Sequence, residues 1–313
     1  MGDYTKLNDD MAHSILQLYG IENYVSLKPL SLGISNSNYR VQTQDHVYLL
    51  KVSNDKSYED LHNEQILLGK LKELNYPLSL QCYKTLKGEL VYQYKNLYGV
   101  LFPFIKGIPP GPSDQTCREI GYALGLLHDK TKNVSKGDIR NYSDIGHDAS
   151  SIAKFTEEPS CPKDFKDAFD LMLANKIDQY LKANKSYSII HGDLYYDNTL
   201  FQEEKVAAML DFEQAGHGEV ILDLGISISG SCIEKGQINP DLVKSYLEGY
   251  EKAYTLNNEE KLFINEAILL GLFSIALWRI KRFKEGDLNA RLENSYQDLI
   301  AKAHNYFELI NKE

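Results

Sequence analysis

The chain has 313 residues, of which 43% are apolar and 25% are charged, and its formal net charge is −10. This composition excludes a disordered chain, and the length is sufficient for two lobes with separate hydrophobic cores. The negative charge disfavours nucleic acids and anionic membranes as partners, because both bind basic patches. A cationic substrate is compatible with the charge, although solubility is the simpler explanation.

The four cysteines lie far apart in the sequence and lack the spacing of a metal site. They are Cys82, Cys117, Cys161 and Cys232. Because no signal peptide is visible, they indicate reduced thiols in a cytoplasmic protein. The most apolar segment, Ala267–Ile280, is too short to span a membrane and carries Arg279, so it predicts a buried core helix.

The first third of the chain alternates between helical and strand patterns. Apolar residues at helical spacing predict two helices, and alternating or continuously apolar runs predict five strands. The predicted elements are helix Met11–Tyr19, strands Val25–Leu32, Asn38–Gln44 and Val47–Val52, helix Tyr58–Leu74, and strands Leu90–Tyr94 and Gly99–Phe104.

The pattern changes after a cluster of Pro and Gly at residues 105–112, which is typical of a linker or loop. Beyond it the strand-rich segment Ser188–Asp211 interrupts a mainly helical region. The predicted helices are Asp114–His128, Lys163–Ala183, Asp241–Tyr254, Asn258–Phe283 and Asp287–Asn311. We therefore predict an α+β, bilobal fold with a small antiparallel-sheet N-terminal lobe, residues 1–104, that binds nucleotide. A larger, mainly helical C-terminal lobe, residues 105–313, would hold catalysis and substrate binding, with the cleft between the lobes.

The strand-rich segment contains a pattern typical of phosphoryl-transfer centres. His191, Asp193 and Asn198 follow the order H-x-D-x-x-x-x-N, and Asp211 comes directly after an apolar strand. Phosphoryl transfer needs a carboxylate that orients and deprotonates the acceptor hydroxyl, and oxygen ligands that hold Mg²⁺ on the nucleotide phosphates. We predict Asp193 for the first role and Asn198 with Asp211 for the second, while His191 holds the backbone of the loop. An acidic β-hairpin without catalytic function is the alternative.

Lys51 ends the third predicted strand, and Glu64 lies on the helix that follows. In kinases a strand lysine contacts the α- and β-phosphates and is fixed by a glutamate of the neighbouring helix. The sequence therefore predicts an ion pair between Lys51 and Glu64. Asp60, one turn earlier on the same helical face, is a rival partner with a shorter side chain. A solvated lysine and an ordinary helical glutamate are the alternative.

Two further segments are expected to contact the nucleotide. Small polar residues after the first strand let backbone N–H groups approach phosphates, although such turns are also common in hairpins. An apolar strand end before the linker could form a slot for the adenine ring, or could simply be a strand end. The predicted nucleotide-binding residues in these segments are Gly33, Ser35, Asn36, Ser37, Phe102 and Phe104.

Taken together, these residues resemble the aminoglycoside phosphotransferase and choline kinase superfamily, a branch of the protein-kinase-like fold. The resemblance covers the chain from about Tyr24 to Phe283. It rests on the turn 33–39, Lys51, Glu64, the motif 191–198, and Asp211-Phe212 followed by Asp223-Leu224. It implies ATP and Mg²⁺ as cofactors, and it implies that Asp223 is a structural anchor under the catalytic loop.

Within this superfamily the chain looks most similar to the non-GHMP homoserine kinase branch. The similarity lies in Ser37-Asn38-Tyr39, the helix 118–128, the motif H-x-D-L-x-x-D-N and the apolar helix near 271–282. Lys51, in contrast, looks more like the aminoglycoside kinases.

The short distance in sequence between Asp211 and Asp223 indicates which class of acceptor the enzyme phosphorylates. Only eleven residues separate Asp211 from Asp223, too few for an activation loop that docks a peptide, so a small-molecule hydroxyl is expected. Arg279 and Arg282 are candidates to bind a substrate carboxylate, which favours an amino acid such as homoserine. An acidic cleft would instead favour an aminoglycoside or choline.

The sequence thus predicts an ATP-dependent small-molecule kinase, with homoserine or a related amino alcohol as the favoured acceptor. Aminoglycoside or choline phosphotransfer is the alternative within the superfamily. A catalytically inactive nucleotide-binding pseudokinase is the alternative of another class, which the presence of Lys51, Asp193, Asn198 and Asp211 disfavours. The oligomeric state and the choice between ATP and GTP stay open.

Overall fold

The computed structural model describes residues 5–30, 36–54, 56–286 and 292–312. The chain forms two compact units that divide after Lys106. The first is built on an antiparallel sheet and the second is mainly helical, so the predicted α+β class is confirmed. No helix in the described part of the chain is long and apolar enough to cross a membrane.

The N-terminal unit contains a five-stranded antiparallel sheet with the strand order β1-β2-β3-β5-β4. Each predicted element of this unit is present, with ends shifted by at most two residues. The elements are α1 (Asp9–Gln17), β1 (Tyr24–Leu30), β2 (Asn36–Thr43), β3 (Val47–Ser53), α2 (Tyr58–Glu73), β4 (Tyr92–Tyr94) and β5 (Leu97–Pro103).

Side-chain alternation along β3 gives this sheet two different faces. Leu50 is buried in a cluster with Leu101 of β5 and Ile15 of α1. Lys51, the next residue, lies on the opposite face, where Glu64 of α2 approaches it. One face therefore forms the core, and the other carries the predicted nucleotide-binding lysine.

The described part of the C-terminal unit combines helices with short antiparallel strand pairs, β6–β9, β7–β8 and β10–β11. The helices are α3 (Asp114–Thr131), α4 (Ala149–Phe155), α5 (Lys163–Met172), α6 (Ala174–Lys182), α7 (Val220–Ser231), α8 (Pro240–Tyr250), α9 (Asn258–Leu262), α10 (Ile264–Arg279) and α11 (Tyr296–Ile310). The strands are β6 (Tyr187–Ile190), β7 (Thr199–Gln202), β8 (Lys205–Met209), β9 (Gly216–Glu219), β10 (Ile233–Glu234) and β11 (Gln237–Ile238).

The predicted helices differ from the structure at several points. The segment predicted as one helix at 163–183 is two, α5 and α6, which meet at the buried Leu173. The segment predicted at 258–283 is divided into α9, α10 and a π-helical turn at Ile280–Lys284. Residues 287–291, the start of the last predicted helix, lie outside the described residues. The short helix α4 and the helix α7 carry no prediction from the sequence.

Helix α7 lies in the centre of the C-terminal unit and is buried on nearly all sides. It packs against α10 with backbone in direct contact, because a Cβ on Gly225 would lie 2.0 Å from the carbonyl oxygen of Ala267. Glycine is therefore required at this helix crossing. The close packing fixes α7, and with it Asp223, beneath the strand-rich segment.

Candidate active site

The strand-rich segment brings two predicted metal ligands together. Strands β7 and β8 pair in the register Thr199↔Met209, and the backbone N–H of Leu210 donates to the carbonyl of Asn198 at 2.8 Å. Asp211, the next residue, therefore follows directly on the paired end of the hairpin beside Asn198. The local sequence is sufficient to create this arrangement, because a short hairpin returns the chain to its starting point.

The catalytic loop between β6 and β7 is anchored from below by Asp223 of α7. Its two carboxylate oxygens accept the backbone N–H groups of His191 and Gly192, each at 2.8 Å, and the carboxylate is fully buried. A carboxylate that accepts backbone N–H groups makes strong, charge-assisted hydrogen bonds. The structure therefore brings Asp223 together with the loop that, by the family resemblance, it was expected to support.

Two buried residues that sequence reasoning missed extend this anchor. The Nε2 atom of His128 on α3 lies 3.0 Å from Asp223, and its Nδ1 atom lies 2.7 Å from the Tyr250 hydroxyl on α8. With the Nε2 proton directed at the carboxylate, Tyr250 donates to Nδ1. No local signal identifies these residues, since 95 residues separate His128 from Asp223 and 122 separate it from Tyr250.

His191 connects the loop to the strand that precedes Asp211. Its Nε2 atom donates to the carbonyl of Leu210 at 2.9 Å, and its Nδ1 atom accepts the Asp193 N–H at 3.3 Å. These partners require a neutral ring with the proton on Nε2. Both ring nitrogens are thus engaged with the backbone of the loop and of the strand end.

Asp193 lies among other carboxylates. Its removal from water, followed by the negative charges of Asp211, Glu213 and Asp197, raises its pKa well above the usual range. The Asn198 amide opposes this shift by donating to the Asp193 carboxylate at 3.4 Å, and it also donates to the Asp193 carbonyl at 2.7 Å. A cluster of like charges that raises a pKa in this way is typical of a functional site.

The donor set at this cluster fits a magnesium ion held jointly with phosphates. Because the Asn198 amide nitrogen is engaged within the loop, its oxygen is the atom left to act as a ligand beside Asp211. Among the described residues, no group of three or more His, Cys, Asp or Glu side chains forms a metal site. Mg²⁺ commonly uses only one or two carboxylates and completes its octahedron with phosphate oxygens and water.

The backbone turn that follows Asp211 is held by an arginine that sequence reasoning missed. Asp211 has a φ of 61°, in the left-handed region that non-glycine residues rarely adopt. The Arg140 guanidinium donates to the carbonyls of Glu213 at 2.7 Å, Ala215 at 2.8 Å and Phe212 at 3.2 Å. Three bonds from one rigid fork define the path of the chain beyond the predicted metal ligand.

Tyr142, also missed, is fully buried under the catalytic loop. Gly192 has a φ of 77°, and a Cβ on it would lie 2.6 Å from the Tyr142 ring. The Tyr142 hydroxyl lies 3.3 Å from Ser274 of α10, which itself donates to the carbonyl of His147 at 2.7 Å. The ring therefore connects α10 to the loop immediately before Asp193.

In the N-terminal unit, Lys51 and Glu64 are brought together. The Lys51 Nζ lies 3.9 Å from Oε1 of the buried Glu64, and the Nζ of Lys56 lies 3.6 Å from Oε2. Asp60 instead accepts a hydrogen bond from the hydroxyl of Ser57, the N-cap of α2, at 2.6 Å. Glu64 thus faces two lysines, of which Lys56 was not predicted, and Asp60 belongs to the start of the helix.

The remaining predicted nucleotide-binding residues occupy different places. Phe102 pairs with Leu49 in register, so it lies on the Lys51 face of the sheet, and Asn36 lies on that face by alternation along β2. Ser37 lies on the opposite face, where its hydroxyl accepts the Thr5 N–H at 2.8 Å. Phe104 follows β5 and lies under the Arg40 guanidinium at 5.6 Å. Gly33 and Ser35 lie outside the described residues.

The two arginines predicted to bind substrate differ in their contacts. Arg282 lies in the π-helical turn with its guanidinium 5.0 Å from the Trp278 ring. Arg279 ends α10, and its Nη1 donates to the carbonyl of Ser295 at 2.8 Å. No carboxylate within the described ranges forms an ion pair with Arg279.

An anchored H-x-D loop, a hairpin that ends in a second aspartate, and a sheet lysine paired with a helical glutamate define a phosphotransferase of the protein-kinase-like fold. The profile of the phosphotransferase enzyme family (APH) matches residues 26–261. The chain belongs to this family. The predicted superfamily and the predicted enzyme class, a phosphotransferase with an alcohol group as acceptor, are therefore confirmed.

Similar proteins of known name agree with this membership. The homoserine kinase of Zymomonas mobilis is 25% identical over 270 residues, covering 83% of this chain and 82% of that protein. The homoserine kinase of Caulobacter vibrioides is 27% identical over 268 residues, covering 83% of each. Among solved structures, a microcompartment-associated aminopropanol kinase is similar with a TM-score of 0.67 and 16% identity, covering 96% of this chain and 98% of its own.

Proposed function

We propose that the protein transfers the γ-phosphoryl group of ATP to the side-chain hydroxyl of homoserine. The observation that carries the transfer chemistry is the cluster formed by Asp193 and Asn198 of the anchored loop and by Asp211 at the end of the adjacent hairpin. The choice of homoserine is supported by the similarity to homoserine kinases and by an arginine, Arg279, that lacks a carboxylate partner among the described residues.

In this proposal Asp193 orients the acceptor hydroxyl and accepts its proton as the phosphoryl group leaves the nucleotide. Asn198 and Asp211 would hold Mg²⁺, which neutralises negative charge on the phosphates. His191 and Asp223 keep the loop in position, so that the carboxylate of Asp193 does not need to reorganise during the reaction.

The N-terminal unit is assigned to the nucleotide. Lys51 contacts the phosphates and Glu64 holds its ammonium group, while Lys56 adds a second positive charge beside the same carboxylate. Both lysines are cations, and a cation on a sheet face suits an anionic ligand such as a phosphate. Phe102 and Phe104 are assigned to the adenine ring. Asn36, together with the turn residues Gly33 and Ser35, is assigned to the phosphates. Ser37 is left out of this assignment, because its hydroxyl lies on the opposite face of the sheet and accepts the Thr5 N–H.

A coupled ADP-release assay with the purified chain tests the proposal. The acceptors are homoserine, 3-aminopropan-1-ol, choline and an aminoglycoside, with Asp193→Asn prepared in parallel to measure any contaminating kinase. We expect ADP release that depends on Mg²⁺ and on the acceptor, with the highest kcat/KM for homoserine. A higher kcat/KM for an acceptor without a carboxylate would overturn homoserine as the substrate. No ADP release with any hydroxyl compound would favour the inactive pseudokinase.

A further inference from the structure

Tyr195, two residues after Asp193 in the catalytic loop, carries a buried hydroxyl that no described residue satisfies. The hydroxyl oxygen is shielded from solvent and has no hydrogen-bond partner in the part of the chain that the structure describes. Buried hydroxyl groups in proteins are normally paired, because an unpaired one loses its bonds to water without replacement. A hydroxyl left unpaired beside a catalytic carboxylate indicates a partner supplied by the ligand.

The Tyr195 ring packs directly against the backbone of Gly230 on α7. A Cβ on Gly230 of α7 would lie 1.5 Å from Cδ1 of the ring and 2.0 Å from Cε1. Any other residue at position 230 would therefore displace the ring. Because α7 also carries Asp223, the helix that anchors the catalytic loop also positions this hydroxyl. The hydroxyl is thus preorganised, which is what a binding group requires.

The hydroxyl is neutral and able to donate a hydrogen bond. Its burial and the negative charge of Asp193 raise the pKa of Tyr195 well above its usual range, and the positive charge of Arg279 opposes this shift. Arg279 and Asp193 therefore both act on the Tyr195 hydroxyl. An anionic ligand group would accept a hydrogen bond from this hydroxyl and would be attracted by the arginine.

Arg279 is available for such a group. Its recorded hydrogen bond goes to the Ser295 carbonyl, and no carboxylate among the described residues pairs with it. It lies five residues after Ser274 on α10, about 7.5 Å along the helix axis. Ser274 contacts Tyr142, whose ring lies against Gly192 in the catalytic loop. A partly exposed arginine without a carboxylate is suited to bind a planar anion such as a carboxylate in a forked geometry.

We propose that Tyr195 is a specificity-determining residue, whose hydroxyl donates a hydrogen bond to the carboxylate of an amino-acid acceptor beside Arg279. The inference rests on the proposed function and adds to it a residue that recognises the substrate carboxylate. Tyr195 would distinguish an amino acid from the corresponding amino alcohol, because only the amino acid has a carboxylate that accepts a hydrogen bond from the buried hydroxyl.

The matched acceptors homoserine and 3-aminopropan-1-ol test this inference, since they differ only by the carboxylate. Tyr195→Phe removes only the hydroxyl oxygen. We expect kcat/KM for homoserine to fall about 10- to 100-fold, mainly through KM, the size expected for a hydrogen bond to a charged group. The value for 3-aminopropan-1-ol and the KM for ATP should stay within about twofold. Arg279→Gln should shift the ratio of the two acceptors in the same direction.

Tyr196→Phe is the matched control, because it makes the same substitution at the next residue. The ratio of kcat/KM for homoserine to kcat/KM for 3-aminopropan-1-ol should be the same in this variant as in the wild type. Thermal unfolding adds a readout of structure. Removing a hydroxyl that has no partner should leave the midpoint of Tyr195→Phe unchanged or raise it, whereas a structural hydroxyl would lower it.

The outcomes separate the inference from the proposed function. If the wild-type chain uses homoserine but Tyr195→Phe impairs both acceptors equally, the hydroxyl serves the phosphoryl group or the loop, and only the inference is overturned. If the wild-type chain uses 3-aminopropan-1-ol better than homoserine, or releases ADP with neither acceptor, both proposals are overturned.

Discussion

The catalytic loop of the C-terminal unit and the lysine of the N-terminal sheet are held in different ways. The loop backbone is bonded at His191 and Gly192 to a single buried carboxylate, Asp223, at 2.8 Å. Lys51 shares Glu64 with Lys56 at the longer distances of 3.9 and 3.6 Å. The loop is therefore fixed by short hydrogen bonds, whereas the ion pairs of Lys51 and Lys56 with Glu64 are longer. We infer that the backbone of the catalytic loop needs no ligand to reach its working geometry.

The largest expected effect is the loss of the base at the centre of the anchored loop. Asp193→Asn keeps the size of the side chain but cannot accept the hydroxyl proton. We expect kcat to fall about 10²- to 10⁴-fold, the usual contribution of a general base. The dissociation constant of ATP, measured by calorimetry, should change by less than about twofold. A turnover near that of the wild type would contradict the role of Asp193.

Breaking the anchor itself should affect the whole C-terminal unit. Asp223→Asn replaces an acceptor of three hydrogen bonds by an amide whose NH₂ group opposes the incoming donors. We expect the free energy of unfolding to fall by about 3–5 kcal/mol, measured by denaturant titration. Asp178→Asn on the exposed side of α6 is the control, and it should stay within about 0.5 kcal/mol. A small loss at Asp223 would show that the loop holds itself in place.

The same contrast explains which parts of the site could be predicted from the sequence. Asn198 and Asp211 meet through a short hairpin, so their proximity follows from residues close in the chain. Lys51 and Glu64 belong to neighbouring elements with clear periodicity. His128, Tyr250 and Arg140 bond to partners that lie 72 to 122 residues away in the chain, so only tertiary packing brings these partners together.

Helix α7 was missed for a related physical reason. It is buried on nearly all sides, so its sequence has no polar face and no helical period, and its β-branched residues favour a strand. The packing of Gly225 and Gly230 decides the outcome, and neither contact can be derived from local sequence. The fold class, the enzyme class and the order of elements in the N-terminal unit were thus predictable, whereas the support under the loop was not.

A substitution of Glu64 tests the lysine site of the N-terminal sheet, the more weakly held of the two regions. Glu64→Gln removes the negative charge between the two lysines, so Lys51 loses the group that holds it. We expect the KM for ATP to rise about tenfold, equivalent to about 1.4 kcal/mol, with a smaller change in kcat. Asp60→Asn is the control on the same helical face, because Asp60 bonds to the N-cap Ser57, and its KM should change less than about twofold. An equal effect of both variants would contradict the assignment of Glu64.

The smallest effect is expected for Arg140, whose guanidinium holds the turn after Asp211. Arg140→Lys keeps the charge, but an ammonium group cannot reproduce three bonds to the carbonyls of Phe212, Glu213 and Ala215. The turn after Asp211 should loosen, and the Mg²⁺ concentration for half-maximal rate at constant ATP should rise about 3- to 10-fold. Arg118→Lys, in a surface pair with Glu248, makes the same substitution and should leave this value unchanged. If Arg140→Lys changed the KM of the acceptor and not the Mg²⁺ dependence, the turn would serve the substrate rather than the metal.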